Sequence, residues 1–221
     1  MQLFITSDGS KTLFNAEIGE HYHSKHGALQ ESKHVFVKSG LQFSLEKNQL
    51  SEIAILEVGF GTGLNFLLTA DYCTTNHIKL DYCGIEAFPL AKDVIESMDY
   101  QSYVGEKIYL DFSSHYDAAL GEEVNLNEQT KLKIDVVKLR DFSSTKLFDV
   151  IYFDAFAAVH QPEMWTTESL AVVSQYLKAG GVFVTYAITG NLKRSMKSLG
   201  FEIEKAPGAP GKREMLRAIK Q

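Results

Sequence analysis

The segment Glu57-Val58-Gly59-Phe60-Gly61-Thr62-Gly63 lies between an apolar run and a helical pattern. Glycines at such a turn permit positive φ and close ligand approach, and the following helix offers free N–H groups. A dinucleotide fingerprint would need glycine or alanine where Leu64 stands, and a phosphate-binding loop would need Gly-Lys-Ser/Thr. We therefore predict a ligand-binding loop whose ligand is neither NAD nor ATP. The alternative is that this loop is only a tight structural turn.

Two carboxylates follow predicted strands elsewhere in the chain. Glu86 ends the strand 80–86, where an acidic side chain can hydrogen-bond both hydroxyls of a ribose. Asp154 directly follows the strand 148–153, so a parallel sheet would deliver its carboxylate to the ligand-binding edge. The alternatives are an exposed carboxylate at Glu86 and a capping residue at Asp154.

The elements that must position these residues alternate along the chain. Apolar strands are predicted at 53–58, 80–86, 132–138, 148–153 and 181–187. Helical patterns begin at Leu64, Pro89 and Pro162. Strands that are apolar throughout are typical of a parallel sheet covered by helices on both faces. The pattern thus predicts an α/β fold.

Both ends of the chain depart from this alternation. After a helix over 190–199, strands 201–205 and 214–219 flank the turn APGAPGKR and predict an antiparallel hairpin. Near the start, HVFVKSGLQFSL predicts a small hairpin that caps the site. We expect a single domain over 1–221, with a capping extension over 1–50 and the core over 51–221.

A mostly parallel sheet that ends in an antiparallel hairpin resembles the class I, Rossmann-like methyltransferase fold. The Glu-x-Gly-x-Gly-x-Gly form likewise resembles the first motif of S-adenosylmethionine-dependent methyltransferases, which implies that cofactor. In this fold Asp141, after the third strand, would lie near the adenine, although Arg140 competes for the position. Because an amine acceptor must lose a proton and be aimed at the methyl carbon, Asp154 is the candidate catalytic residue.

Several separated segments together resemble one narrower family. They are LEVGFGTGLNFLLT at 56–69, GIEAFPL at 84–90, FDVIYFDAFAAVHQPEMWT at 148–166 and GKREML at 211–216. All resemble the methyltransferase domain of the MnmC family, which modifies the wobble uridine of bacterial tRNA. The stretch YHSKHGALQESKHVFVKSGLQ at 22–42 resembles the opening of that family. The similarity therefore covers most of the chain.

The resemblance implies methyl transfer to the aminomethyl group on carbon 5 of the wobble (2-thio)uridine, giving methylaminomethyl-uridine. It also implies the residues that hold the cofactor or cover it: Glu57, Gly59, Phe60, Gly61, Thr62, Gly63, Glu86, Asp141, Tyr22, Gln30 and Glu31. Bifunctional relatives continue into an FAD-dependent oxidoreductase, for which 221 residues leave no room. We expect a stand-alone form supplied by upstream modification enzymes or a separate FAD-dependent oxidase.

Charge is distributed unevenly along the chain. Residues 1–190 contain 14 Lys and Arg against 25 Asp and Glu, whereas residues 191–221 contain 8 against 3. This basic end predicts an anionic partner, and a solvated surface is the alternative. The resemblance implies that the partner is the tRNA anticodon loop, whose unpaired bases can be splayed into a pocket. The candidate RNA-binding residues are Lys193, Arg194, Lys197, Lys212, Arg213, Arg217, Phe156 and His160.

Other classes of function are less well supported. His21, His23 and His26 match no metal template, so no metal is expected. The chain has no apolar run long enough for a membrane helix and no signal-peptide pattern, so no membrane partner and a cytoplasmic location are expected. A small-molecule amine methyltransferase, an aminopropyltransferase and a noncatalytic RNA- or cofactor-binding module remain the alternatives.

Overall fold

The N-terminal residues form a small antiparallel sheet. In the computed structural model, which describes residues 1–221, its strands are β1 (Gln2–Ile5), β2 (Lys11–Asn15) and β3 (Glu20–His21), in that order. Phe14 of β2 pairs with His21 of β3. This sheet lies beside the carboxyl-terminal edge of the main sheet, because Ala157 N after the main-sheet strand 148–153 donates to Glu20 Oε2 at 2.8 Å.

The predicted hairpin over HVFVKSGLQFSL is wrong, because this segment is helical. It lies within α1 (Ala28–Ser32), a π-helical segment (Lys33–Gln42) and α2 (Phe43–Asn48), which follow one another without a break. Gly40 is not a turn residue: a Cβ there would lie 2.9 Å from both Tyr152 Cε1 and Val184 Cγ2. The glycine instead lets this helix approach the main sheet closely, an interaction that alternating sequence does not reveal.

The main sheet has eight strands and is mostly parallel. The remaining elements are β4 (Glu52–Val58), α3 (Leu64–Thr75), β5 (Lys79–Ile85), α4 (Lys92–Ser97), α5 (Glu106–Ala119), β6 (Val124–Asn125), β7 (Thr130–Asp135), β8 (Phe148–Phe153), α6 (Thr167–Ser174), β9 (Leu177–Thr185), α7 (Gly190–Ser198), β10 (Phe201–Pro207) and β11 (Glu214–Lys220). The strand order is β10-β11-β9-β8-β4-β5-β7-β6. Strands β7, β5, β4, β8 and β9 are parallel, and β11 pairs antiparallel with β9 and β10. The predicted Rossmann-like methyltransferase fold is confirmed.

Both faces of the central strands are buried, as their unbroken apolar sequence predicts. Ile55 and Tyr152 belong to a cluster of 36 buried side chains on one face. Their chain neighbours Leu56 and Phe153 belong to a cluster of 20 on the other face. Successive side chains of a strand point to opposite faces, so two helical layers clamp β4 and β8 and hold the residues at their ends in place.

The order of the strands locates the functional edge. From β4 the chain builds outward through β5 and β7 on one side, and through β8 and β9 on the other. Ligands bind such sheets beyond the carboxyl ends of the strands, where the order reverses. The glycine loop after β4, Glu86 after β5 and Asp154 after β8 therefore meet at one edge.

Several predicted boundaries are shifted. The helix expected from Pro89 begins at Lys92, and Pro162 begins a 3-10 turn (Pro162–Trp165) ahead of α6. The helix α5 and the strands β1, β2 and β3 were not predicted. None of the helices is both long enough and apolar enough to cross a membrane.

Candidate active site

A cavity of about 1040 Å³ opens at the carboxyl ends of β4, β5 and β8. One wall, which we call the sheet wall, consists of residues 58–62, Glu86 and Asp154. The opposite wall, which we call the N-terminal wall, includes residues 17–25 and Glu31. Lys212, from the turn between β10 and β11, also lines the cavity. Five distant parts of the sequence thus form one site.

The glycine loop has the left-handed backbone that its sequence predicts. Gly59, Gly61 and Gly63 have φ values of 87°, 53° and 79°. A Cβ on Gly59 would lie 2.6 Å from Asp154 O, so this turn also lies too close to the end of β8 for a side chain. The sheet wall is therefore shaped largely by main-chain atoms, which leave room for a ligand beside the loop.

The carboxylate of Glu86 is fixed by two main-chain donors. Gly61 N donates to Oε2 at 3.0 Å and Phe88 N donates to Oε1 at 3.0 Å. Each carboxylate oxygen keeps a further lone pair for a ligand in the cavity. The geometry thus suits an acceptor for ligand hydroxyl groups next to the glycine loop.

Asp154 belongs to a buried polar network. Asn65, the second residue of α3, donates Nδ2 to Asp154 Oδ2 and to Glu57 Oε1, both at 2.8 Å. Tyr82 donates its hydroxyl to Glu57 Oε2 at 2.8 Å. Glu57 is fully buried and does not line the cavity, so it supports the site from beneath the glycine loop.

Burial and nearby carboxylates strongly disfavour ionisation in this network. Burial, with Glu31 and Glu20 adding repulsion, raises the pKa of Asp154 to about 8, although Asn65 and Lys212 act in the opposite direction. Burial also raises the pKa of Glu57 well above its usual value. A carboxyl group that exchanges its proton near neutral pH is suited to general acid–base chemistry.

The N-terminal wall is held together by side chains. Tyr22 packs edge-on against Phe156, with ring centroids 5.1 Å apart, and its Cδ1 would lie 3.0 Å from a Cβ on Gly61. Burial and Glu86 raise the pKa of Tyr22 to about 12, so its phenol stays neutral. Lys212 pairs with the buried Glu31 at 2.5 Å and lies 4.1 Å from the Tyr186 ring centroid.

Most residues predicted to bind the cofactor lie in or directly beneath the cavity, and three do not. Gln30 is outside the lining, and its main-chain N–H donates to Asp8. Asp141 lies in an exposed 3-10 turn (Leu139–Asp141), with Arg140 Nε 3.7 Å from its carboxylate, and it is Arg140 that lines the cavity. Gly63 is the N-cap of α3 and lies against Phe60 and Phe112. Cofactor contact stays a prediction for all of the named residues, and these three lack even a place in the cavity lining.

The predicted RNA-binding residues are dispersed. Phe156 and Lys212 line the cavity, whereas the exposed His160 and Arg213 lie outside it. Lys193, Arg194 and Lys197 lie on α7, away from the cavity lining. Arg217 is occupied within the protein, because Nε pairs with Glu204 and the guanidinium lies 3.7 Å from the Phe43 ring centroid. Its assignment to an RNA surface is thus not supported by its contacts.

Sequence reasoning missed several residues of the site. Lys25, Lys138 and Arg140 are cations of the cavity lining, and Phe14 and His21 contribute aromatic rings. Asn65 lies two residues after the last glycine of the motif and was the one residue within reach of the sequence argument. The others come from turns and from the small sheet, for which no pattern was recognised. No group of three or more His, Cys, Asp or Glu side chains is arranged to hold a metal ion.

S-adenosylmethionine, the cofactor implied by the sequence resemblance, fits this arrangement. A Cβ on Gly59 would clash with Asp154 O, and a Cβ on Gly61 would lie 3.0 Å from the Tyr22 ring, so the loop beside the cavity has no room for a side chain at either position. Glu86, anchored by two main-chain donors, presents a carboxylate suited to ribose hydroxyls. The cavity also has room for an acceptor beside the cofactor, since drug-sized ligand pockets start at roughly 300 Å³.

Comparisons with known proteins agree with the cofactor that the sequence resemblance implies. A family model described as S-adenosyl-L-methionine-dependent methyltransferase matches residues 104–221. Among curated relatives, the bifunctional protein MnmC of tRNA 5-methylaminomethyl-2-thiouridine biosynthesis from Aromatoleum aromaticum is 28% identical over 98% of the chain. MnmC from Leptospira borgpetersenii is 32% identical over 88% of the chain. The chain spans about a third of these relatives, 35% and 31% of their lengths.

Solved structures show the same fold. The crystal structure of MNMC2 from Aquifex aeolicus covers 99% of this chain and 70% of its own, with a TM-score of 0.77 and 23% sequence identity. Human methyltransferase-like protein 13, in complex with SAH, covers 86% of this chain and 82% of its own, with a TM-score of 0.53 and 15% identity. The predicted resemblance to a methyltransferase domain is confirmed.

Proposed function

Since the chain belongs to the S-adenosyl-L-methionine-dependent methyltransferase family, we propose that it methylates the aminomethyl group on carbon 5 of the wobble uridine in tRNA. The product is methylaminomethyl-uridine. The similarity to MnmC over nearly the whole chain supports this substrate. Upstream wobble-uridine modification enzymes or an FAD-dependent oxidase would supply the amine, and a tRNA substrate implies that the reaction takes place in the cytoplasm.

The sheet wall holds the cofactor in this proposal. When bound, S-adenosylmethionine supplies an electrophilic methyl group on a sulfonium. The main chain at Gly59 and Gly61 accommodates the methionine portion, and Glu86 accepts hydrogen bonds from the ribose. Tyr22 covers the loop with its ring, which shields the site from water. Support comes from the positive φ values of the loop and from the two main-chain donors that fix Glu86.

Asp154 receives the acceptor amine. One of its oxygens, Oδ2, is engaged by Asn65, and Oδ1 accepts no hydrogen bond from the protein. That oxygen is available to orient an ammonium group and to take its proton, which frees the lone pair for attack. Glu31 and Glu20 add negative potential around Asp154. An acidic pocket of this kind attracts a cationic amine and suits a neutral or anionic acceptor less well.

The anticodon loop enters from the outer part of the cavity. Phe156 and Tyr22 offer aromatic surface next to Asp154, against which a splayed base can stack. Lys25, Lys138, Arg140 and Lys212 are the cations of the cavity lining, and they are suited to nearby phosphates. This placement moves the predicted RNA-binding surface from the C-terminal end of the chain to the mouth of the cavity.

The single observation that carries the proposal is Asp154, half-buried at the end of β8 beside the glycine loop, with one carboxylate oxygen that accepts no hydrogen bond from the protein. The test is transfer of labelled methyl from S-adenosylmethionine to tRNA from a strain lacking this gene, followed by nucleoside mass analysis of the wobble position. We expect labelled methylaminomethyl-uridine with the wild type and the Asp117→Asn surface control. Asp154→Asn is expected to reduce transfer about 10²- to 10⁴-fold, with cofactor binding retained.

Two results would contradict the proposal. Absence of label in tRNA that demonstrably contains aminomethyl-uridine, despite measured cofactor binding, would remove the RNA substrate and favour a small amine. Full activity of Asp154→Asn would remove the proposed role of that carboxylate while leaving the substrate assignment intact.

A further inference from the structure

Asn65 occupies a buried position between two carboxyl groups. The residue is only 3% exposed. Its Nδ2 donates one hydrogen bond to Glu57 and one to Asp154, each at 2.8 Å. Its Oδ1 is buried and has no hydrogen-bond partner. An apolar side chain of similar volume would avoid that unpaired oxygen, but among uncharged side chains only an amide nitrogen supplies two protons to two carboxyl groups at once.

Glu57 sets the orientation of this amide. It is fully buried, its Oε1 accepts from Asn65, and its Oε2 accepts from Tyr82 at 2.8 Å. If the Asn65 amide were turned over, its oxygen would face the oxygens of two carboxyl groups. The link from Glu57 through Asn65 therefore reaches Asp154 with one defined geometry.

We propose that Asn65 is a positioning residue for methyl transfer, which holds Asp154 by Oδ2 so that Oδ1 meets the acceptor amine, and which favours the ionised form of that carboxylate. The inference rests on the proposed catalytic role of Asp154. Asn65 acts through Asp154 and takes no proton itself.

Asp154 is surrounded by other groups that influence its charge. Glu31 approaches from α1, Glu20 from β3, Glu57 from β4, and Lys212 from the turn between β10 and β11. Tyr186, after β9, faces it with a neutral phenol, whose pKa is raised by burial and by Asp154 itself. Asn65 is the side chain that donates a hydrogen bond to Asp154. Its loss should therefore move the carboxyl group toward its protonated form.

The decisive measurement is the pH titration of the Asp154 carboxyl group in the cofactor-free protein. Carbon NMR of protein labelled with ¹³C-aspartate monitors this titration. The spectrum of Asp154→Asn identifies the resonance by its loss. In Asn65→Ala we expect the titration midpoint of Asp154 to move upward by roughly one pH unit. Asn65→Ser, which keeps one donor in a smaller side chain, should shift it less and serves if the alanine variant does not fold.

A matched control separates positioning from general loss of packing. Thr69 lies one turn further along α3, is fully buried, and hydrogen-bonds the hydroxyl of Tyr152 without contacting Asp154. Thr69→Val should lower stability yet leave the Asp154 midpoint unchanged. In transfer assays, Asn65→Ala should lower kcat, leave the KM for S-adenosylmethionine nearly unchanged, and move the pH–rate profile to higher pH; Thr69→Val should not move that profile.

The outcomes distinguish this inference from the function on which it rests. If the wild type modifies tRNA but Asn65→Ala shows an unchanged midpoint and pH–rate profile, Asn65 is not a positioning residue and the proposed function stands. If the wild type fails to modify aminomethyl-uridine, the proposed function falls, while the titration still decides whether Asn65 controls the Asp154 carboxylate.

Discussion

The two walls of the cavity are built by different means. The sheet wall is formed by main chain at the ends of buried parallel strands, with Gly59 in contact with the end of β8. The N-terminal wall depends on side chains, chiefly the Tyr22–Phe156 contact and the Lys212–Glu31 ion pair. A main-chain wall suits a ligand of constant shape, whereas a side-chain wall can differ between substrates without altering the fold.

The largest effect should come from adding one methyl group to the sheet wall. Gly59→Ala places a Cβ against Asp154 O at a positive φ, so we expect S-adenosylmethionine affinity to fall roughly 100-fold, from backbone strain and displacement of the loop. Isothermal titration calorimetry measures it. Gly121→Ala is the control, because Gly121 has φ +96° but no atom within 4 Å of its added Cβ. Equal affinities in both variants would show that this contact does not shape the site.

A smaller effect is expected from removing a side chain of the N-terminal wall. Tyr22→Ala uncovers the glycine loop and removes the partner of Phe156, so we expect cofactor and tRNA affinity each to fall about tenfold, within the 1–3 kcal/mol typical of an aromatic stacking contact. Tyr22→Phe keeps the ring and should behave like the wild type. A loss in Tyr22→Ala as large as in Gly59→Ala would erase the proposed difference between the walls.

The cations of the β10–β11 turn should contribute less. Lys212→Ala/Arg213→Ala is expected to weaken tRNA binding a few-fold, more than cofactor binding, and to reduce the slope of log Kd against log salt by up to about 2. Filter binding over a salt series measures it. Lys107→Ala/Lys131→Ala, at exposed cations of α5 and β7, is the charge-matched control. An unchanged tRNA affinity and slope would remove this turn from the RNA surface.

The smallest effect concerns stability. Because the pKa of Asp154 is raised to about 8, the folded protein holds a proton that the unfolded chain releases near pH 4, and stability falls as pH rises between these values. Asp154→Asn removes this dependence. Its melting temperature should therefore gain about 3 °C on the wild type for each pH unit between pH 5 and pH 8, measured by differential scanning fluorimetry at constant ionic strength. Asp117→Asn should track the wild type; a pH-independent difference for Asp154→Asn would show that its carboxyl does not titrate in this range.

The sheet wall was predictable from local sequence pattern, whereas the N-terminal wall was indicated only by the resemblance, which implied Tyr22 and Glu31 but not the structure that positions them. Apolar strands followed by Gly59, Glu86 and Asp154 have one physical explanation, because parallel strands end at a common edge. The segment 34–45 is compatible with two structures, a hairpin and a helix. Its alternation suits a strand and its Gly40 suits a turn, and only packing against β8 and β9 decides for the helix. The network around Asn65 depends on distances between segments, which local patterns do not encode. The division of the chain at residue 50 stays a prediction.

The order of the last strands has a consequence for how this protein folds during synthesis. β11 lies between β9 and β10, so the only sheet neighbour of β10 is a strand made after it. Until β11 leaves the ribosome, β10 has no sheet partner, and the sheet cannot close from the N-terminal side onward. Lys212 precedes β11 by two residues, so its pairing with Glu31 depends on the same closure. The pairing of β10 and the Lys212–Glu31 contact of the N-terminal wall thus both wait for β11, so a partly made chain without β11 has this wall incomplete.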